Sequence, residues 1–235
     1  MIQFYDPHIE SKGLLGPEES VHCVRVLRKK SGDEIFVTDG KGKRFRCIIS
    51  EASTRGVKLD IIDREIIEKN WNFEITLAVA PTKNADRMSW LVEKATEIGV
   101  DRIVFLKCEH SERKAINIER LKRNAISAMN QSLKTVLPVL EGPETLHDFV
   151  SNLSNGGKYF GYCDEKEDRI RFVDAFVAES NTVLCIGPEG DFSPGEVLFL
   201  KQRGFLPVTF GDERLRTETA AIYGVCGIHI LNDKK

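Results

Sequence analysis

The sequence predicts an α/β protein, a small β-barrel followed by a layered α/β domain with a parallel sheet. Three observations carry this. Residues 34–66 hold short runs rich in β-branched side chains, separated by turn signals. From Phe73 onward apolar runs alternate with stretches of helical periodicity, the pattern of strands joined by crossover helices. Between them lies a polar linker, "REIIEKNWN", which sets the domains at 1–70 and 73–235.

The elements follow in order. "EIFVTDG", "KRFRCIISEA" and "GVKLDIIDRE" read as barrel strands, with "DGKGK" and "STRG" as their turns. "FEITLAVA" opens the second domain as a strand. Asn84 to Ile98 is a helix, with Met88, Leu91, Val92, Ala95 and Ile98 on one face and Gly99 placed to end it. "RIVFL" is the next strand, and Ile118 to Leu133 the next helix. Then come "KYFGYC", a helix near Arg169 to Val177, the strand "TVLCI", a helix from Ser193, "FLPVTF", and a last helix from about Thr217.

Composition narrows the classes. The chain has 235 residues, 41% hydrophobic and 30% charged, as a globular protein with a real core requires. Six cysteines at 23, 47, 108, 163, 185 and 226 form no CxxC pair. With no HExxH among five histidines, neither a metal site nor a disulfide framework is expected. "MIQFYDPHIE" lacks a signal-peptide pattern and no long uncharged apolar segment occurs, so the expectation is a cytoplasmic protein without a membrane span. Residues 21–64 hold 11 Lys or Arg against 6 Asp or Glu, leaving −7 for the rest of a chain of net charge −2. This asymmetry fits either a basic face for an acidic partner or a solvated charged surface.

Two loops carry the chemistry. "CIGPEGDFSPGE" ends a strand and starts a helix, whose first turn Ser193-Pro194-Gly195-Glu196 reads as a capping box. Neither GxGxxG nor GxxxxGK is present, and Glu189 and Asp191 would repel phosphate. Gly187 and Gly190 let a ligand approach the backbone just beyond a strand's carboxyl end, or else form a tight turn with no ligand. One strand later "VTFGDERLRTETAAIYGV" repeats the geometry, with Gly211, then Arg216, and Thr217 as a candidate N-cap. The two loops together make one pocket, with amides, carbonyls, a carboxylate and an arginine.

These residues resemble a known family. "IGPEGDFSPGE" and "FGDERLRTETA", with "HCVRVLRKKSGD" and "KNADRMSWLVEKATEIGVDRI", are similar to the motifs of the ribosomal RNA small subunit methyltransferase E family. The resemblance implies S-adenosylmethionine (SAM) as cofactor and the 3-nitrogen of a 16S rRNA uridine, in the small ribosomal subunit, as acceptor. It implies a PUA-like N-terminal β-barrel, a SPOUT-type C-terminal domain with a trefoil knot, and a homodimer in which both subunits complete each site. The alternatives are a methyltransferase of another RNA or protein, and an inactive RNA-binding relative. The chain departs from the family at Asp191, where glycine is usual, and at Phe210, Asn130-Gln131 and Lys134.

By the same resemblance Gly187, Pro188, Glu189, Gly190, Phe210, Gly211, Leu215, Thr217 and Ala220 hold the cofactor. Arg216 would stabilise charge on the uracil carbonyls, because its fixed fork suits such oxygens. Glu218 is either a general base or the partner of an arginine. His22, Arg25, Arg28 and Lys29 would face RNA phosphates or form a solvated helix face. Lys83, Arg87 and Lys134 are the other RNA candidates.

Overall fold

The structure, a computed structural model, describes residues 1–112, 115–153, 156–163 and 169–233. The chain divides into two units, Met1–Trp71 with Ile126–Leu137, and Asn72–Ala125 with the chain from Pro138 onward.

In the first unit β1 (Gln3–Tyr5), β2 (Leu14–Leu15), β3 (Glu34–Thr38), β4 (Lys43–Glu51) and β5 (Val57–Ile66) form one barrel-like sheet in the order β1-β3-β4-β5-β2. Alternation along β3, β4 and β5 turns Ile35, Val37, Phe45, Cys47, Ile49, Val57 and Leu59 inward onto Phe4, Ile9, Leu15 and Cys23. Helices α1 (Ile9–Lys12) and α2 (Pro17–Val21) precede a π-helical turn at His22–Val26. Arg28 then takes φ 54, in the left-handed region, so the expected helix face breaks there. His22, Arg25, Arg28 and Lys29 do not share one helical face.

A half-buried polar cluster ties α2 to residue 130. Glu19 Oε1 accepts from Tyr5 N at 3.3 Å and from Asn130 Nδ2 at 3.0 Å. Burial, reinforced by Glu18 and Asp6, pushes its carboxyl from the ordinary 4.5 to about 7. The folded protein therefore holds this proton more tightly than the unfolded chain. Stability falls as pH rises from about 4.5 through about 7 and is level above, a step of about 3 kcal/mol at most. Glu19→Gln keeps an acceptor and adds donors near Asn130 Oδ1, a buried oxygen without a partner. Its melting temperature is expected to exceed that of the natural chain at pH 8 and to match it near pH 4.5. Equal melting at both pH values would refute this account.

The second unit is built on a seven-stranded sheet in the order β10-β12-β9-β11-β6-β7-β8. The strands are β6 (Ile75–Val79), β7 (Arg102–Lys107), β8 (Val139–Thr145), β9 (Gly157–Gly161), β10 (Ile170–Arg171), β11 (Thr182–Ile186) and β12 (Leu206–Thr209). All its pairings are parallel. Its helices are α3 (Ala85–Ile98), the first half of α4 (Ile118–Gln131, whose residues 126–131 belong to the first unit), α5 (Leu146–Ser151), α6 (Phe172–Ala175), α7 (Pro194–Gln202) and α8 (Thr217–Asn232).

Asn84 caps α3 through a bond from Asp86 N, and Ser193 with Glu196 completes the capping box of α7. One face of the sheet, with Ala78, Val104, Phe160 and Cys185, packs on Phe149 of α5 and on Val197 and Leu200 of α7. On the other, Gly224 of α8 lies so close to Leu184 that a Cβ has no room. The expected helix from Arg169 to Val177 is instead the two-residue strand β10 and the four-residue helix α6, with Phe176 already extended. Strand β8 and helix α5 are additions to the elements the sequence predicts, which name none between Leu133 and "KYFGYC". Gly-Pro is tolerated there since β8 is an edge strand.

Candidate active site

Parallel strands bring their carboxyl ends to one edge of the sheet, and the neighbouring strands β12, β9, β11, β6 and β7 all end there. The loop after β11 begins buried, at Gly187 and Pro188, and surfaces at Glu189 and Gly190. A hydrogen bond of 2.9 Å from Asp191 N to Pro188 O closes it into a turn. The loop after β12 runs from Phe210, half-buried, through exposed Gly211 at φ 136 to Arg216.

One bond joins the two loops. Thr217 Oγ1 donates to Gly187 O at 3.2 Å, and both residues are buried. Thr217 is thus not the helix cap that its side chain predicts. The N-cap position belongs to Arg216, and Thr217 is the first helical residue of α8. Its hydroxyl bonds the neighbouring loop instead of capping its own helix.

The remaining predicted residues take distinct places. The Phe210 ring packs 5.5 Å from Phe172 and 5.7 Å from Tyr223, and the residue is half-buried. Leu215 and Ala220 are half-buried. Glu189 Oε1 accepts from Lys83 N at 3.1 Å, which draws the start of α3 to the first loop, while Lys83 Nζ pairs with Glu112. Arg216 is exposed, and no carboxylate among the described residues pairs with its guanidinium. Glu218 is buried, with 6% of its surface exposed. Its Oε1 lies 3.5 Å from Arg87 Nε, and its Oε2 is buried without a hydrogen-bond partner. The orphaned Oε2 can accept a hydrogen bond from a ligand.

Lys134 belongs to the first unit. It lies half-buried, 5.6 Å above the Trp71 ring, and burial lowers its ammonium below the ordinary 10.5. His22 packs edge-on against Phe4 and lies 3.9 Å from Glu19. Sequence reasoning did not find the Arg87–Glu218 pair as such, since 131 positions separate the two. Nor did it find the role of His110, whose Nδ1 reaches Gly190 O and Asp191 O. Among the described residues no cluster of three or more His, Cys, Asp or Glu could hold a metal ion, and no helix is long and apolar enough to cross a membrane.

The arrangement suits SAM. Its donors and acceptors are mostly backbone, as an adenine and a ribose require, with carboxylates for a hydroxyl or a sulfonium and apolar walls at Leu215 and Ala220. Comparisons with known proteins agree with this chemistry. Residues 69–228 match a family described as an RNA methyltransferase domain, and residues 15–62 one described as an RNA methyltransferase PUA domain. The chain is 28% identical over 224 residues to the ribosomal RNA small subunit methyltransferase E of Rickettsia conorii, covering 94% of this chain and 91% of that protein. It is similar to a probable rRNA-methyltransferase of Porphyromonas gingivalis, with 40% identity, a TM-score of 0.93, and 99% and 98% of the two chains covered. A putative methyltransferase of Legionella pneumophila, solved with bound SAM, gives 29% identity, a TM-score of 0.88, and 98% and 97% covered.

Proposed function

We infer the reaction from one premise: the chain belongs to the ribosomal RNA small subunit methyltransferase E family of the SPOUT superfamily. It is an enzyme that methylates 16S rRNA with SAM as methyl donor. The acceptor is the 3-nitrogen of a uridine. The observation that carries the reading is the Thr217–Gly187 bond, which fuses two glycine loops into one cradle. A trefoil knot in the second unit and a cytoplasmic site of action come with the same reading.

SAM, when bound, supplies a methyl group on a sulfonium. The residues of the chain do the rest. Gly187, Pro188, Glu189 and Gly190 on one loop, with Gly211, Leu215, Thr217 and Ala220 on the other, hold the cofactor. Alignment of nucleophile and methyl supplies much of the rate. The uracil nitrogen must lose a proton, and Glu218 Oε2 is the acceptor positioned for it, its other oxygen fixed by Arg87. Arg216 stabilises the charge that develops on the flanking carbonyl oxygens. His22, Arg25, Arg28 and Lys29 of the PUA-like unit, with Lys83 and Lys134, contact RNA phosphates.

The test is incubation of the purified chain with labelled SAM and small ribosomal subunits that lack the modification. Label on a uridine 3-nitrogen is expected. No transfer to rRNA would refute the function, and label on another base would refute the acceptor alone.

The enzyme works as a homodimer. The outward stripe of α8 runs through Thr219, Tyr223, Cys226 and Ile230, with Tyr223 54% and Ile230 58% exposed. Val173 and Val177 are exposed as well, within and just beyond α6. Apolar surface on this scale fits an interface between copies. Light scattering at micromolar concentration is expected to give twice 26.5 kDa, and a monomeric mass would refute the dimer.

A further inference from the structure

Resting on the methyltransferase reading above, we propose that His110 is a positioning residue that sets the first glycine loop for its cofactor before the cofactor arrives. His110 Nδ1 lies 3.0 Å from Gly190 O and 3.1 Å from Asp191 O. Both partners are carbonyl oxygens, which only accept, so Nδ1 carries a hydrogen and donates to both. One donor thereby fixes two consecutive peptide planes.

The imidazole sits on a braced arm. Cys108 N donates to Ser111 Oγ at 3.0 Å and Ser111 N to Cys108 O at 3.1 Å, while Glu109 N donates to Glu196 Oε1 at 2.9 Å. Opposite it, the Asp191 carboxylate accepts from Cys163 N and from Phe192 N, each at 2.9 Å. Gly190 passes so near that a Cβ there would lie 3.1 Å from His110 Cβ, tighter than an ordinary contact, so a side chain at 190 would press on the imidazole arm.

With Thr217 on Gly187 O and Asp191 N on Pro188 O, the carbonyls of residues 187, 188, 190 and 191 are all held by donors of the protein. His110 supplies two of those four restraints. A surface loop without them must be ordered by its ligand, and that ordering is subtracted from affinity. Because the bonds join residues in neighbouring loops, their loss frees the loop and leaves the core of the fold intact.

The experiment measures SAM affinity by calorimetry, and the kinetic constants, for the natural chain, His110→Ala and His110→Asn. His110→Ala is expected to bind SAM about tenfold more weakly. The KM for SAM should rise accordingly, while kcat at saturating SAM and RNA stays near that of the natural chain. Asparagine places an N–H close to the position of Nδ1, so His110→Asn is expected to recover most of the affinity. Nitrogen-15 spectra of the natural chain should show a hydrogen on His110 Nδ1. Equal affinity of the natural chain and His110→Ala overturns the proposal, as does an asparagine variant no better than alanine. A natural chain that binds no SAM overturns the methyltransferase reading, and the proposal with it.

Discussion

Arg216→Ala is expected to lower turnover a hundred- to thousandfold while leaving SAM affinity and melting temperature close to those of the natural chain. The geometry separates these effects. Arg216 is an exposed N-cap whose contribution to α8 is its backbone, with Ala220 N donating to its carbonyl at 2.8 Å. No carboxylate among the described residues depends on its guanidinium. Its removal therefore takes away a donor for developing negative charge and little else. Such a loss typically costs about 2.7–4 kcal/mol of transition-state stabilisation. Arg25→Ala should behave differently, weakening RNA binding and reducing its salt slope by about one per lost phosphate contact. Arg28→Ala belongs in the same test, because at φ 54 arginine and alanine carry the same Cβ, so the substitution removes the charge and leaves the backbone cost unchanged. Single-turnover rates at saturating RNA, measured for all three variants, decide the matter. If Arg216→Ala turns over normally there, Arg216 is a binding residue and the catalytic assignment fails.

Gly190→Val and Gly211→Val are each expected to abolish SAM binding, for different reasons. At residue 190 the new side chain presses on His110, in the loop after β7, and displaces the first glycine loop. Nothing crowds residue 211, but its φ of 136 is one that a β-branched residue does not adopt without strain. Both positions are exposed, so the core and the circular dichroism spectrum should persist. Calorimetry that finds unchanged affinity in both variants would remove the pocket from between these loops.

Two of the departures that the resemblance marks, Asp191 and Phe210, find physical reasons in the structure. Asp191 stands at φ 61, in the left-handed region where glycine is at ease and aspartate is tolerated. Its carboxylate then makes the bonds to Cys163 N and Phe192 N that a glycine could not make. The Phe210 ring fills space beside Gly161 and Gly224, which have no side chains to oppose it.

Local signals in the sequence determined the elements whose causes are local. Asn84 and Gly99 bound α3, the capping box starts α7 at Pro194, and "TVLCI" is β11 from Thr182 to Ile186. Periodicity, turn chemistry and capping act within a few residues, so a linear reading captures them. The two glycine loops were legible for the same reason. Where the signals conflict, the reading failed. The Gly-Pro of β8 hid an edge strand, and the basic run after His22 broke at Arg28.

Tertiary structure alone decided which distant residues meet. It placed β11 between β9 and β6, diverted the Thr217 hydroxyl from capping to Gly187 O, and set Arg87 against a buried Glu218. It also swung His110 onto two carbonyls eighty residues away. These contacts depend on strand order and on the direction each loop leaves the sheet. Both are fixed by packing the whole apolar sequence at once, and a short stretch of chain carries no record of them.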